Sequence, residues 1–271
     1  MSAQRNRPSD ASIALTAAAR IAAAAVFAIA LAAAPRGAEA ADAPAPRSAA
    51  QIELQVGLCA PAAVVTRALA LKAKGQPLDV WFFDDATLAL FDRGVRLRLR
   101  VTGAGGVLTL KVAEQDCARL APDLVPRGEG KCEYDRHGDR IAGAVSLERE
   151  LDAKAARQLV AGAAPVVQAL SPAQIRYLRE IVGVWPLPAG VRPLGPVGLQ
   201  RYRAAGRPWD VDVWAIPGGG GNVEISRKVP TAEGDRAYQE LRDEVLRAGI
   251  ALCADQSAQS ANTLRALLPA R

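Results

Sequence analysis

An α+β fold, an antiparallel sheet with helices packed on it, accounts for three features of this 271-residue chain. Short segments that alternate apolar and polar residues, the period of a half-buried strand, recur along most of its length. Amphipathic helical stretches with clear starts and stops lie between them. At the polar positions of the strands the residues are charged, with both signs present, as in Arg96-Leu97-Arg98-Leu99-Arg100 and Asp210-Val211-Asp212. Half of the residues are hydrophobic, so a sizeable core is available.

Residues 1–40 read as a secretory signal peptide. Arg5, Arg7 and Arg20 precede an apolar run over 21–34, and the small residues that follow supply an A-x-A cleavage site. The run is too short for the ~30 Å of a bilayer core. A secreted or periplasmic protein with no membrane span after cleavage is therefore expected. Residues 41–50 form a flexible Ala/Pro leader, and 51–271 a single domain. The formal charge of +6, from 34 Lys and Arg against 28 Asp and Glu, drops to +4 once 1–40 are removed. With no block of consecutive bases, nucleic acid is not an expected partner.

The first strand is expected over 52–58, followed by a helix over 61–74 that Gly75 stops. Strands follow at 79–83 and at 95–101, the latter turning through the glycines of 103–106 into 107–112 as a hairpin. After an irregular stretch over 113–130 come a strand at 131–135 with His137-Gly138 as its turn, and another at 145–151. A helix is expected over 153–161. The next opens at Ser171-Pro172-Ala173-Gln174, a capping-box pattern with proline at the first helical position, and ends at Gly183. Strands at 198–204, 209–216 and 222–229, a helix over 233–248 and another over 258–268 complete the chain. The glycines of 218–221 read as a hairpin turn, because no Gly-Lys-Ser/Thr follows and a strand comes next.

Export places Cys59, Cys117, Cys132 and Cys253 in an oxidising compartment, where two disulfides are expected. Four cysteines allow three pairings; the favoured one joins Cys59 to Cys253 and Cys117 to Cys132. The single histidine excludes His-rich zinc sites and paired-histidine relays, and His137 itself reads as a surface residue. There is no G-x-S-x-G segment. Trp81, Trp185, Trp209 and Trp214 read as packing residues.

The alternating charges admit two geometries. In an open antiparallel sheet with one wet face they are simply solvated. In a closed barrel the apolar faces would lie under the helices and the charged faces around a channel. Such a channel suits a multiply charged phosphate ligand, because arginine forks and lysine point charges both match phosphate oxygens. Its carboxylates would suit Mg2+ or Mn2+.

The stretch 80–98, VWFFDDATLALFDRGVRLR, followed by LTLK at 108–111, resembles the CYTH superfamily, the triphosphate tunnel metalloenzymes. The resemblance implies an eight-stranded antiparallel tunnel barrel with covering helices, whose enzymes hydrolyse or cyclise triphosphates with divalent metal. It places phosphate contacts at Arg96, Arg98 and Lys111, with Arg201 or Arg203 as a further basic position and Lys131 on a mid-chain strand. Metal-binding carboxylates are implied at Glu53 and Glu224. The mid-chain acidic strand has two candidates, Lys131-Cys132-Glu133-Tyr134-Asp135 and Glu148-Arg149-Glu150. Two segments depart from the family pattern. The opening Glu-x-Glu-x-Lys is here Glu53-Leu54-Gln55-Val56-Gly57, and Ser226 stands where the late Glu-x-Glu pair has its second acid. The chain is thus expected to bind a small polyanionic, phosphate-containing ligand, with or without metal-assisted hydrolysis; on the same fold it would otherwise be a non-catalytic or structural envelope protein.

Overall fold

The computed structural model describes residues 51–268 except 118, 121, 126, 127, 219 and 258. The signal peptide and leader expected over 1–50 lie outside the described residues. The strands are β1 (Gln51–Leu58), β2 (Leu71–Ala73), β3 (Leu78–Asp84), β4 (Val95–Thr102), β5 (Gly105–Ala113), β6 (Gly130–His137), β7 (Arg140–Asp152), β8 (Arg192–Ala204), β9 (Asp210–Ala215) and β10 (Gly221–Pro230). Nine of them close into a barrel in the order β8-β3-β4-β5-β7-β6-β1-β10-β9, with β9 pairing back onto β8. The short β2 lies outside that ring on the edge of β8.

This corrects the eight-stranded, all-antiparallel expectation on two points. The ring has nine strands, and β1 runs parallel to β6 while pairing antiparallel with β10. Both neighbours of β1 are distant in sequence, and alternation within a strand says which face is buried but not which strand lies beside it.

The helices are α1 (Ala62–Ala68), α2 (Ala153–Val160), α3 (Pro172–Tyr177), α4 (Gly234–Arg247) and α5 (Gln259–Ala266). They explain where the core sits. Leu97, Leu99, Leu108, Leu110, Val145 and Leu147 point out of the barrel into a cluster with Ala156 and Leu159 of α2 and Tyr177 of α3. Ile52, Leu54, Val56, Val223 and Ile225 do the same beneath Tyr238, Leu241 and Val245 of α4. A third cluster lies on the inward face, where Val80, Phe82 and Leu199, paired with Arg100, Arg98 and Trp214, meet Leu264 of α5. The apolar faces of the first two clusters therefore lie outside the ring, and the inward faces carry the charged residues together with the third, apolar cluster. The hydrophobic effect closes the barrel from its outside.

Local departures from expectation have local causes. The helix expected over 61–74 ends at Ala68, and Ala70 takes a positive φ of 49°. Residues 71–73 then pair with 202–204 as β2. The run Leu69-Ala70-Leu71 suits a helix face, but it is drawn off by an available sheet edge. β7 and β8 each run to 13 residues, longer than expected, because their first halves pair with β6 and β3 respectively. The turn between β6 and β7 is Gly138-Asp139, and His137 is the last residue of β6. Between β9 and β10 the glycine run forms the expected hairpin connection.

The capping box of α3 forms as expected. Ser171 accepts from the Gln174 N–H at 3.2 Å, and the Gln174 side chain accepts from the Ser171 N–H at 2.9 Å. Fully buried, Gln174 also donates through Nε2 to the carbonyls of Leu108 (3.2 Å) and Leu147 (3.0 Å), tying α3 to β5 and β7. Gln174→Ala orphans three buried backbone groups, so a loss of about 2–3 kcal/mol is expected in urea unfolding.

Cys59 is bonded to Cys253 and Cys117 to Cys132, the pairing favoured from the sequence. The first ties the end of β1 to the segment after α4; the second ties the irregular stretch after β5 to β6. No helix among the described residues is long and apolar enough to cross a membrane.

Candidate functional site

The inward residues of the ring enclose one passage made of three cavities that share lining residues. The central one, about 150 Å³, is lined by Glu53, Gln55, Arg96, Arg98, Lys111 and Arg201, with Asp212, Trp214 and Glu224 beside them. It opens at one end into a space of about 290 Å³ bounded by Lys74, Arg100, Lys131, Glu133, Glu148 and Lys228. At the other end it opens into about 540 Å³ bounded by Phe91, His137, Arg140, Gln256 and Arg265.

The register shows why these residues meet. Arg96 stands opposite Lys111, and Arg98 opposite Thr109, which in turn faces Glu148 on β7. Arg201 is opposite Asp212, which is opposite Glu224 on β10. Period-two alternation puts all of them on one face, and closure of the ring turns that face into a lumen.

Of the expected phosphate contacts, Arg96, Arg98, Lys111 and Arg201 converge at the centre. Lys131 lies at the 290 Å³ mouth, 2.7 Å from Glu133. Arg203 does not line the passage; its side chain is 61% exposed and lies 3.5 Å from Asp210.

Two of the central cations have no carboxylate partner. Arg98 makes no hydrogen bond or ion pair with another described residue. Its pKa is pushed down to about 10, first by enclosure away from water and then by the neighbouring charges of Arg100 and Arg201, with Asp212 and Glu148 opposing the shift. The Arg96 guanidinium lies 5.1 Å from the Phe91 ring centroid, and its Nε–H is buried without an acceptor. The Nε–H of Arg100 and the indole N–H of Trp214 are likewise buried without an acceptor, and that of Arg201 makes no hydrogen bond although Asp212 lies 3.5 Å away. Buried donors of this kind are costly to leave unmet, and an anion in the passage would satisfy them.

The carboxylates are arranged differently. Glu53 lies 4.0 Å from Lys228, and burial pushes its pKa up against that lysine's pull. Glu148 accepts from Arg100 at 2.8 Å. Glu150 is exposed and outside the lining. Glu224 lines the centre, four residues along the ladder from the partner of Glu53, about 13 Å at ~3.3 Å per residue. Between them Gln55 faces Ser226, both uncharged. Among the described residues no three Asp, Glu, His or Cys side chains converge as a metal-binding group. The four carboxylates implied as metal ligands thus do not form a common donor set, and a divalent metal does not fit these residues.

Two further acids line or border the passage: Asp212, to which the sequence assigned no role, and Asp135, the last residue of one candidate acidic strand. Asp212 lies 3.5 Å from Arg201, and burial raises its pKa. Asp135 accepts from Lys111 at 2.5 Å. Both sit on alternating strands, but alternation alone cannot tell a lumen acid from a solvated one. The expectation for His137 is corrected: it is half-buried in the wider mouth, its pKa pushed down to about 4 by burial foremost, with Lys111, Arg96 and Arg140 adding to the shift and Asp135 opposing it. Unfolding raises that pKa, so the unfolded chain binds the extra proton between about pH 4 and 6.5 and stability falls as pH drops through this window. His137→Gln should remove about 2 kcal/mol of the difference between urea unfolding at pH 7 and at pH 4.

The aromatic-acidic segment before β4 has a structural job. Asp84, 1% exposed, accepts from the backbone N–H groups of Asp85, Leu90 and Phe91. Asp85 accepts from Thr87 and from the Ala89 N–H. Together they fold the loop that sets Phe91 against Arg96. Trp209 and Trp214 are buried as packing residues, and Trp214 additionally borders the passage.

No protein-family model matches the chain, and no curated sequence matches it. Among solved structures it is similar to HpAC1 from Hippeastrum, an adenylyl cyclase candidate described as having a dominant triphosphatase activity. The likeness has a TM-score of 0.55 at 20% identity and covers 79% of this chain and 94% of that one. An adenylate cyclase candidate from Bacillus halodurans aligns with a TM-score of 0.47 at 13% identity, over 78% of this chain and 97% of that one. The likeness to HpAC1 is one of fold: a closed ring around a charged lumen, the tunnel barrel that the sequence resemblance implied.

Proposed function

We propose that the domain binds a linear polyphosphate or triphosphate group in its tunnel, acting as a receptor and not as a hydrolase. The observation that carries this reading is the meeting of Arg96, Arg98, Arg201 and Lys111 in one lumen, with Arg98 lacking any carboxylate partner among the described residues. A cation enclosed this way is costly unless an anion meets it. The likeness to HpAC1 supports the same ligand class. We place the domain in an oxidising compartment outside the cytoplasm, a reading its two disulfides support.

The test is thermal unfolding of the full chain with sodium tripolyphosphate, alongside an assay of phosphate release. Ligand at 100 times its Kd should stabilise the protein by about 2.7 kcal/mol. Lys111→Ala should reduce that stabilisation by weakening the phosphate contact, and the wild type should release no phosphate above background. Release that Glu224→Gln abolishes would show a hydrolase instead. Absence of any stabilisation would leave a structural protein with solvated charges.

A further inference from the structure

Resting on that reading, we propose that the tunnel takes its polyphosphate as the metal-free anion, and that divalent cations compete with binding instead of supporting it. The argument is one of charge placement.

A metal resident before the ligand arrives would need several carboxylates converging on one point, since Mg2+ and Mn2+ take oxygen ligands at close to 2.1 Å in octahedral array. In this lumen Glu53 stands opposite Asp135 and Asp212 opposite Glu224, and most of the acids are matched to protein cations. Glu133 lies 2.7 Å from Lys131 and 2.5 Å from Lys228. Glu148 holds Arg100, Asp135 holds Lys111, and Asp212 lies beside Arg201. The rung between Glu53 and Glu224, where further acids would complete a set, is the neutral pair Gln55 and Ser226.

The positive charge is arranged the opposite way. Arg98 sits between Arg100 and Arg201 without a direct ion pair, and the buried Nε–H groups of Arg96 and Arg100 are left without acceptors. These donors suit bare phosphate oxygens. A phosphate chain already chelated by Mg2+ offers fewer free oxygens and less net negative charge. It would also bring a dication close to an unpartnered guanidinium in a poorly solvated space, where like charges repel strongly.

Isothermal titration of the full chain with sodium tripolyphosphate, in EDTA and again with Mg2+ in excess over the ligand, decides the matter. The expected result is binding in EDTA that weakens at least tenfold with Mg2+. Affinity unchanged or raised by Mg2+, or binding seen only with it, overturns this inference and leaves the tunnel-receptor reading standing. No binding under either condition overturns both. A second measurement uses Mn2+ alone, followed by electron paramagnetic resonance. The wild type is expected not to immobilise the ion; stoichiometric uptake that Glu224→Gln removes would equally overturn the metal-free inference.

Discussion

Arg98→Gln is expected to raise the stability of the ligand-free protein by about 1–2 kcal/mol while weakening tripolyphosphate binding about 100-fold. The two effects share one cause. In the free protein the Arg98 guanidinium is enclosed without a direct ion pair; Arg100 and Arg201 repel it, and Asp212 and Glu148 offset part of that from a distance. Replacing an enclosed charge that no ion pair meets by a neutral side chain of similar length removes that desolvation penalty. With polyphosphate present the same charge faces an anion at short range, and truncating one member of such a pair costs about 2–5 kcal/mol. Thermal unfolding should show the free variant melting about 3 °C above the wild type and gaining little from ligand. A variant that melts lower without ligand and gains as much from it would place the anion elsewhere. Arg203→Gln is the control: its side chain is 61% exposed and off the lining, so little change is expected in either quantity.

Loss of the Cys59–Cys253 bond should be the most destabilising change at any pair of residues outside the lumen. It closes a loop spanning 194 residues, for which the chain-entropy model gives about 5 kcal/mol. The bond spanning 15 residues, Cys117–Cys132, comes to about 3 kcal/mol. The native geometry around Cys59 has other support. The Cys59 N–H donates to the Ala251 carbonyl and the Cys253 N–H to the Gly57 carbonyl, both at 3.0 Å. The Gln256 side chain accepts from the Gly57 N–H at 2.9 Å and donates to its carbonyl at 3.1 Å. These contacts can hold the segment in place without the sulfur bridge, so most of the loss should arise in the unfolded chain. In urea unfolding, Cys59→Ser with Cys253→Ser should lose more than Cys117→Ser with Cys132→Ser. The reverse order would mean that local native strain or contacts outweigh the loop term.

Much of the barrel was legible along the chain because a strand advertises its two faces. Arg96-Leu97-Arg98-Leu99-Arg100 states that leucines go one way and arginines the other, and Ser171 with Gln174 states where a helix begins. Outside the strands the same reading overshot. The segment 69–73 carries a helix-compatible pattern, yet the open edge of β8 claims it. His137, two residues beyond the expected strand, became part of the lumen's mouth because β6 runs through it before turning.

The site was legible by residue type and not by partnership. Arg96, Arg98, Lys111, Arg201, Glu53 and Glu224 do line one passage. Glu150 and Arg203 share their neighbours' alternation but lie at the rim, because a strand's face does not reveal how far along it the ring encloses. Asp212 and Asp135 looked like solvated acids until the barrel closed around them.

Residue order along the chain settled the α+β character, the strand faces and the chemistry of the inward side chains, because those follow from local periodicity and from what each side chain can bond. Only the tertiary structure decided that the ring has nine strands, that β1 lies parallel to β6, and which charges cancel. Pairing between distant strands sets those distances, and at a few ångströms in a poorly solvated lumen distance separates a neutralised acid such as Glu148 from an unmatched cation such as Arg98.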